Sequence, residues 1–188
     1  MQVAFLEGDL VILQPLERQD LANLQLWNNG QEMRGLIGQV YPESESSLDE
    51  WFERVQADKQ RVWFAVVRKS DGKMVGEAGL LRMYHPWRTT DLTMIIGDPE
   101  ARGQGLGTEA IVLLMDYAFG YLGFHRIAIG VVGFNERALS FYERVGFKQE
   151  GVQRNGYYYN HRFSDFVMMS ILEDEFRALH KVPLSARS

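Results

Sequence analysis

Apolar and polar positions along the chain follow two periods, and each change of period marks an element. Residues 9–16 alternate, with Leu10 and Ile12 on one side and Val11 and Leu13 on the other. A first strand is expected there, ended or placed at an edge by Pro15. Leu21, Leu24 and Trp27 then recur at every third position and predict a helix over 17–28, stopped by Asn28-Asn29-Gly30. Residues 31–41 read as loop with a short helical turn. A second helix is expected over 48–57, with Ser47 and Glu50 spaced for a capping box. Three strands follow: 61–68, rich in Val, Trp and Phe; 74–83, interrupted by Gly76 and Gly79; and 90–97. Ser70-Asp71-Gly72-Lys73 turns the chain between the first two, and the stretch around His85-Pro86-Trp87 between the last two. The three therefore form an antiparallel meander.

After Gly97 the period changes. Asp98 and Pro99 turn the chain, Gly103, Gly105 and Gly107 follow, and Ala110, Leu113, Leu114, Tyr117, Ala118 and Tyr121 then recur at helical spacing up to Gly123. Residues 125–132 are a continuous apolar strand reached through that helix, so it should lie parallel to the strand before. A helix over 135–145 ends at Gly146. Strands are expected at 147–152 and 163–172, with Tyr157-Tyr158-Tyr159 and Asn160 between them. Residues from 173 onward read as polar, with one or two helical turns. No repeat, low-complexity run or linker interrupts the pattern, which predicts one domain over 1–175 and a polar tail over 176–188.

A strand, a glycine-rich turn and a helix in succession commonly make an anion site. Unpaired amides at the helix start point outward, and the helix dipole adds positive potential. Two glycine loops fail here. The dinucleotide fingerprint needs glycine where Thr108 stands, and the P-loop needs a lysine that is absent. Arg102, Gly105 and Gly107 do fit Arg-x-x-Gly-x-Gly, although a turn with a purely structural role would read the same way.

Composition removes several classes of function. The chain of 188 residues has room for one domain with a real core. No apolar run approaches the roughly 20 residues needed to span a bilayer, and Met1 to Glu7 lacks the basic start of a signal peptide. With no cysteine, disulfides, thiolate metal sites and a cysteine nucleophile are excluded. His85, His125, His161 and His180 have no metal-ligand spacing, so no metal site is expected. A net charge of −5 argues against a broad grip on nucleic acid. A cytoplasmic location is the expectation.

Residues 135–147 carry a second constellation. On a helix, Asn135, Ala138 and Tyr142 share a face that offers an amide, a methyl group and a phenol. Taken alone, Asn135 reads more readily as a cap and Tyr142 as a core aromatic with a satisfied hydroxyl. The run Asn-x-x-Ala-x-x-Phe-Tyr-x-x-x-Gly-Phe, following the Arg-x-x-Gly-x-Gly loop across one helix and one strand, closely resembles the two conserved blocks of the GNAT superfamily of N-acetyltransferases. The resemblance extends from Asp9 to about Leu172. It is nearest to the branch that acetylates protein N-terminal amines and to the related spermidine acetyltransferases, through Glu109-Ala110, Tyr117-Ala118-Phe119, Glu150-Gly151 and the segment 165–172.

The resemblance implies a single α/β (α+β) domain. Its sheet is mixed and mostly antiparallel, with a splayed parallel central pair and helices on both faces. It implies acetyl transfer from acetyl-coenzyme A to a primary amine, on a protein N-terminus or a small molecule, by direct attack. Met94, Ile95 and Ile96 would pair with the pantetheine arm through their backbone. Arg102, Gly103, Gln104, Gly105, Leu106, Gly107 and Thr108 would hold the pyrophosphate, and Asn135 and Ala138 would flank the arm. Tyr142, protonated at neutral pH, suits an acid at the leaving sulfur or a hydrogen bond to it. Asp91 stands where the family often has Glu, and Glu77 lies on the preceding strand; either carboxylate could act as base through water, with His85 in the turn between. Polyamine acetyltransferases of this family hold their cation with carboxylates from two neighbourhoods that read here Met33-Arg34-Gly35-Leu36-Ile37-Gly38 and Leu81-Arg82-Met83, without an acid, which counts against a polyamine. Tyr84, Trp87 and the tyrosine run are candidates for an acceptor pocket or a dimer contact, and a homodimer is left open. A non-catalytic acyl-coenzyme A sensor is the second reading, against which Tyr142 counts. A nucleotide-binding regulatory domain is the third, against which the failed loop spacings count.

Overall fold

The computed structural model describes residues 4–180, so the start of the N-terminal stretch and the tail beyond His180 lie outside the described residues. The strands are β1 (Leu6–Glu7), β2 (Val11–Pro15), β3 (Val62–Arg68), β4 (Met74–Tyr84), β5 (Thr89–Ile96), β6 (Arg126–Val132), β7 (Lys148–Tyr159) and β8 (Arg162–Leu172). The α-helices are α1 (Leu21–Asn28), α2 (Gln31–Ile37), α3 (Glu45–Ala57), α4 (Leu106–Gly120), α5 (Glu136–Val145) and α6 (Glu173–Leu179). The strands form one sheet in the order β1-β2-β3-β4-β5-β6-β8-β7. Every pairing is antiparallel except that of β5 with β6. This is the mixed sheet with a parallel central pair that the patterning predicts.

Alternation along the strands divides the apolar residues between two faces. On one, α4 buries Ala110, Ile111, Leu113, Leu114 and Ala118 against Leu13, Val66, Ala78, Leu80 and Ile127. On the other, Leu21, Leu24 and Trp27 of α1 and Leu48 and Phe52 of α3 cover Ala65, Val67 and Met74. Each fully buried large aliphatic side chain contributes about 1.5–3 kcal/mol. Trp27 also explains why β5 ends at glycine: a Cβ on Gly97 would lie 2.0 Å from Trp27 Cδ2.

Several local expectations change. The α3 cap is Ser44, not Ser47: Ser44 Oγ accepts from the Ser47 amide at 3.2 Å, and Ser47 Oγ accepts from the Ser44 amide at 2.9 Å. Ser44, Ser46 and Ser47 are all of a type that caps helices. The start is chosen by Asn29, whose side chain binds the Glu43 amide at 2.9 Å and the Glu43 carbonyl at 2.8 Å, fixing the chain just before Ser44. Tyr157, Tyr158 and Tyr159 belong to β7 rather than to a connection. Tyr158 packs across the hairpin on Phe163 at 4.9 Å between ring centroids, and Asn160 and His161 turn the chain with positive φ at both positions. At the other end, α6 runs through the expected boundary at residue 176, and Phe176 is buried against Phe119.

Glu109, in the first turn of α4, ties the N-terminal strands to the glycine loop. Its carboxylate accepts the backbone amides of Asp9 at 2.8 Å, Leu10 at 2.7 Å and Val11 at 2.7 Å. Glu109→Ala leaves those donors without their acceptor and should lower stability by about 1–3 kcal/mol in urea titrations. Glu109→Gln, which keeps one accepting oxygen, should lose less; equal stability of all three proteins would contradict this role.

Candidate active site

The site begins with an interrupted pairing. β5 and β6 are in register over three pairs, Thr89 with Arg126, Thr90 with Ile127 and Asp91 with Ala128. Beyond Asp91 each strand stays with its other neighbour, Ile96 opposite Gly76 on β4 and Val132 opposite Phe166 on β8. The two strands therefore part, and the β6-facing backbone edge of Met94, Ile95 and Ile96 borders a cavity of about 750 Å³.

The glycine loop closes one end of this cavity. Gly105 caps α4 with φ +80°, a conformation most side chains resist. Gly107 lets the helix start sit close to β5: a Cβ there would lie 3.3 Å from Ile96 Cγ1. Arg102, Gly103, Gly105, Gly107 and Thr108 line the cavity. Gln104 and Leu106 do not: the Gln104 amide turns back to the Glu100 carbonyl, and Leu106 is buried in the core. Arg102 donates from Nε to the Ile96 carbonyl at 3.4 Å and from Nη1 to Glu32 at 3.0 Å.

From the β6 side, α5 presents Asn135, Ala138 and Tyr142 to the same cavity. Asn135 is the helix cap, its Oδ1 accepting from the Ala138 amide at 3.1 Å, a bond that leaves its NH₂ group uncommitted. The Tyr142 ring is held between Phe141 and Phe147, at 5.2 and 5.5 Å between centroids. Burial pushes its phenol well above the usual tyrosine range, so it is protonated at any physiological pH.

The two carboxylates expected near the chemistry are placed differently. Asp91 lines the cavity where the strands part, ion-paired with Arg82. Arg82 has φ +49° at an irregularity in the β4–β5 pairing. Glu77 is not among the lining residues. It is buried on the α1–α3 side of β4, where Trp63 Nε1 donates to it at 2.6 Å. Desolvation pushes its carboxyl up to about 7, against the charge-stabilising hydrogen bond from Trp63. The far wall is largely apolar: Met33, Leu36 and Ile37 of α2, Leu81, Ile95, Tyr157, Phe166 and Met168. Tyr84 and Trp87 pack on each other and lie outside this wall.

A splayed parallel pair, a glycine loop at a helix start and an Asn-Ala-Tyr helix face now stand together. The family model for the acetyltransferase (GNAT) domain matches residues 11–148. The chain belongs to the GNAT family. It is similar to the spermidine N(1)-acetyltransferase of Escherichia coli (strain K12), 33% identical over 174 residues that cover 92% of this chain and 91% of that one. It is also similar to the putative ribosomal N-acetyltransferase YdaF of Bacillus subtilis (strain 168), 29% identical over 170 residues, with 88% and 91% covered. Among solved structures, the spermidine N-acetyltransferase of Vibrio cholerae in complex with CoA and spermine superposes with a TM-score of 0.84 at 27% identity, covering 90% of this chain and 99% of that one. The protein is thus an acetyl-coenzyme A-dependent N-acetyltransferase.

As a GNAT cavity, this one has features that the sequence motifs did not announce. Arg137 and Arg144 of α5 line it beside Arg102. Seven residues apart, they share a helix face, so the helical period alone could have marked them. Glu32, one residue before the window without acids, also lines it. Phe166 covers β6 where a Cβ on Gly130 would meet the ring at 2.1 Å. No local pattern signals that last contact.

The buried Glu77 gives a pH-dependent prediction. With its carboxyl raised from 4.5 to about 7 on folding, the native state holds a proton that the unfolded chain has lost between those pH values. Its stabilising contribution is therefore complete below pH 4.5 and falls as pH rises through 7. Glu77→Gln removes this titration. The stability of the variant relative to wild type should rise by on the order of 3 kcal/mol between pH 4.5 and 8, measured by urea denaturation at a series of pH values. A difference that does not vary with pH would refute it.

Proposed function

We propose that this enzyme acetylates a small-molecule primary amine borne on a largely apolar carrier, and that the residues around the splay divide the work as follows. The residues fit coenzyme A: an open strand edge suits an amide-bearing arm, and the start of α4, on a cavity that Arg102 of the loop and Arg137 and Arg144 of α5 also line, suits its phosphates. Met94, Ile95 and Ile96 hold the arm through their backbone, and Asn135 and Ala138 flank it. The backbone amides of Arg102 to Thr108, with Gln104 and Leu106 contributing main chain alone, take the diphosphate. The bound donor supplies an acyl group activated as a thioester.

In direct transfer the amine nitrogen attacks the acyl carbon and the carbon–sulfur bond breaks. A backbone N–H of β5 near Ile96 stabilises the charge that develops on the acyl oxygen. Asp91 takes the amine proton through water, because it lines the cavity and Glu77 does not, and position comes before pKa in choosing a base. Tyr142 donates its O–H toward the leaving sulfur. A phenol raised by burial is a weaker acid than a thiol, whose ordinary pKa is about 8.5. A hydrogen bond to the developing thiolate therefore describes its role better than full proton transfer.

The observation that carries the acceptor reading is the far wall. It is largely apolar, and the two carboxylates that line the rest of the cavity, Glu32 and Asp91, are each paired with an arginine. A polycation would find no unpaired acid there. The second reading, a polyamine, is favoured by the spermidine acetyltransferase relatives. A cytoplasmic location and a homodimer remain part of the proposal.

A thiol-release assay across apolar monoamines, spermidine, spermine, amino acids and N-terminal peptides tests the acceptor. Apolar primary monoamines should give the highest kcat/KM. A preference for spermidine would replace this reading with the second, and a preference for peptides would overturn both. Tyr142→Phe should reduce kcat about 10²-fold with less than about 3-fold change in coenzyme A affinity by calorimetry. Equal losses in the two would leave Tyr142 a binding role alone.

A further inference from the structure

On the cavity side of β6 the sequence places small residues, and an aromatic ring from the neighbouring strand takes the space they leave. Alternate residues of a strand share a face, so Ala128 and Gly130 point the same way. Asp91 stands opposite Ala128 at the last pair of β5 with β6, and Met168 of β8 stands opposite Gly130. All four line the cavity. Phe166, two residues before Met168 on the same face, leans back along β6 toward the level of Asp91: a Cβ on Gly130 would meet its ring at 2.1 Å. Beside it lies Tyr157, its ring nearly parallel to that of Phe166, at 15° and 6.5 Å between centroids. Tyr157 is held by its hydroxyl on the Gly35 carbonyl at 2.7 Å and by the ring of Phe134 at 6.0 Å. The rings of Phe166 and Tyr157 thus form a fixed aromatic wall. It begins one step along β6 from the level of Asp91, about 7 Å at the usual strand rise.

We propose that Phe166, seated on Gly130, selects the acceptor, and that the amine it selects is carried on a flat aromatic ring joined to the nitrogen by a short alkyl spacer. β6 carries no side chain larger than a methyl group at 128 and 130, so Phe166 sets the width of the cavity at this level. The surface it presents is aromatic rather than aliphatic. Ring-on-ring contacts in offset or edge geometry add to plain area burial, and the thioether of Met168 beside them also favours a ring. Tyr157 is pinned to α2, so the wall needs little ordering when a ligand arrives. The step between this wall and Asp91, which takes the amine proton, sets the length of the spacer. A saturated ring of the same size buries a similar area there, but it has no π face to set against Phe166. This inference rests on the small-amine reading of the acceptor.

The test compares kcat/KM for phenethylamine and cyclohexylethylamine in wild type, Phe166→Leu and Gly130→Ala. The two amines share spacer and carrier size and differ in the π system. Wild type should favour phenethylamine by about 5- to 10-fold, with the difference carried by KM. Phe166→Leu keeps an apolar wall without a ring and should bring the ratio to within about 2-fold of unity. Gly130→Ala leaves the ring's chemistry intact but displaces it, and should lower the ratio as well. Taking the ratio removes any loss of activity common to both amines, and thermal unfolding with coenzyme A verifies that each variant is folded. A wild-type ratio near unity would overturn the proposal without recourse to any variant. A ratio that Phe166→Leu or Gly130→Ala leaves unchanged would overturn it too. A failed acceptor reading would look different: peptides or polyamines would lead the substrate panel, whereas failure of this inference alone leaves apolar monoamines ahead with no preference for the aromatic ring.

Discussion

Everything in this molecule that bears on catalysis depends on the parallel pairing of β5 and β6 giving out after three residues. The cause lies in the competition each strand faces. β5 is held along its length by β4, and β6 by β8, in antiparallel ladders that are somewhat stronger per residue than a parallel one. Where the two halves of the sheet diverge, the parallel pair yields. Buried backbone donors and acceptors ordinarily find partners, so an edge left open inside a fold is a place prepared for an amide-bearing ligand.

The same divergence governs the charges. α4 starts beside the opened edge because Gly107 lets it approach Ile96, and α5 faces it from β6. Arg102, Arg137 and Arg144 thus border one cavity although they come from two segments of a protein of net negative charge. Two carboxylates close in sequence to the chemistry end in opposite circumstances. Asp91 is at the cavity and paired, whereas Glu77 is sealed beneath the sheet with Trp63. Alternation along β4 and β5 puts them on the same face, but α1 and α3 cover one and leave the other open.

A single chain wraps the divergence so that it does not widen. The β1–β2 turn is fastened to the start of α4 by Glu109, and α2 is fastened to β7 by two tyrosines and to the loop by Arg102. These ties connect residues that lie 70 to 128 positions apart. They stabilise the cavity's outline without adding to either hydrophobic core.

The sequence by itself determined the elements and the family. Alternation and helical periodicity reflect one side chain's relation to its near neighbours, so strands such as 62–68 and the helices at 106 and 136 were legible, as were Gly105 and Asn135, whose roles are set within a turn. Tertiary structure decided the rest. It chose Ser44 over Ser47 because Asn29 anchors Glu43, and it drew Tyr157 to Tyr159 into β7 because Phe163 lies across the hairpin. It brought Phe176 into the core because Phe119 awaits it there. It also separated Asp91 from Glu77 and set Glu32 against Arg102. Each of these outcomes depends on a partner distant along the chain, and a pattern of local spacing carries no information about such a partner.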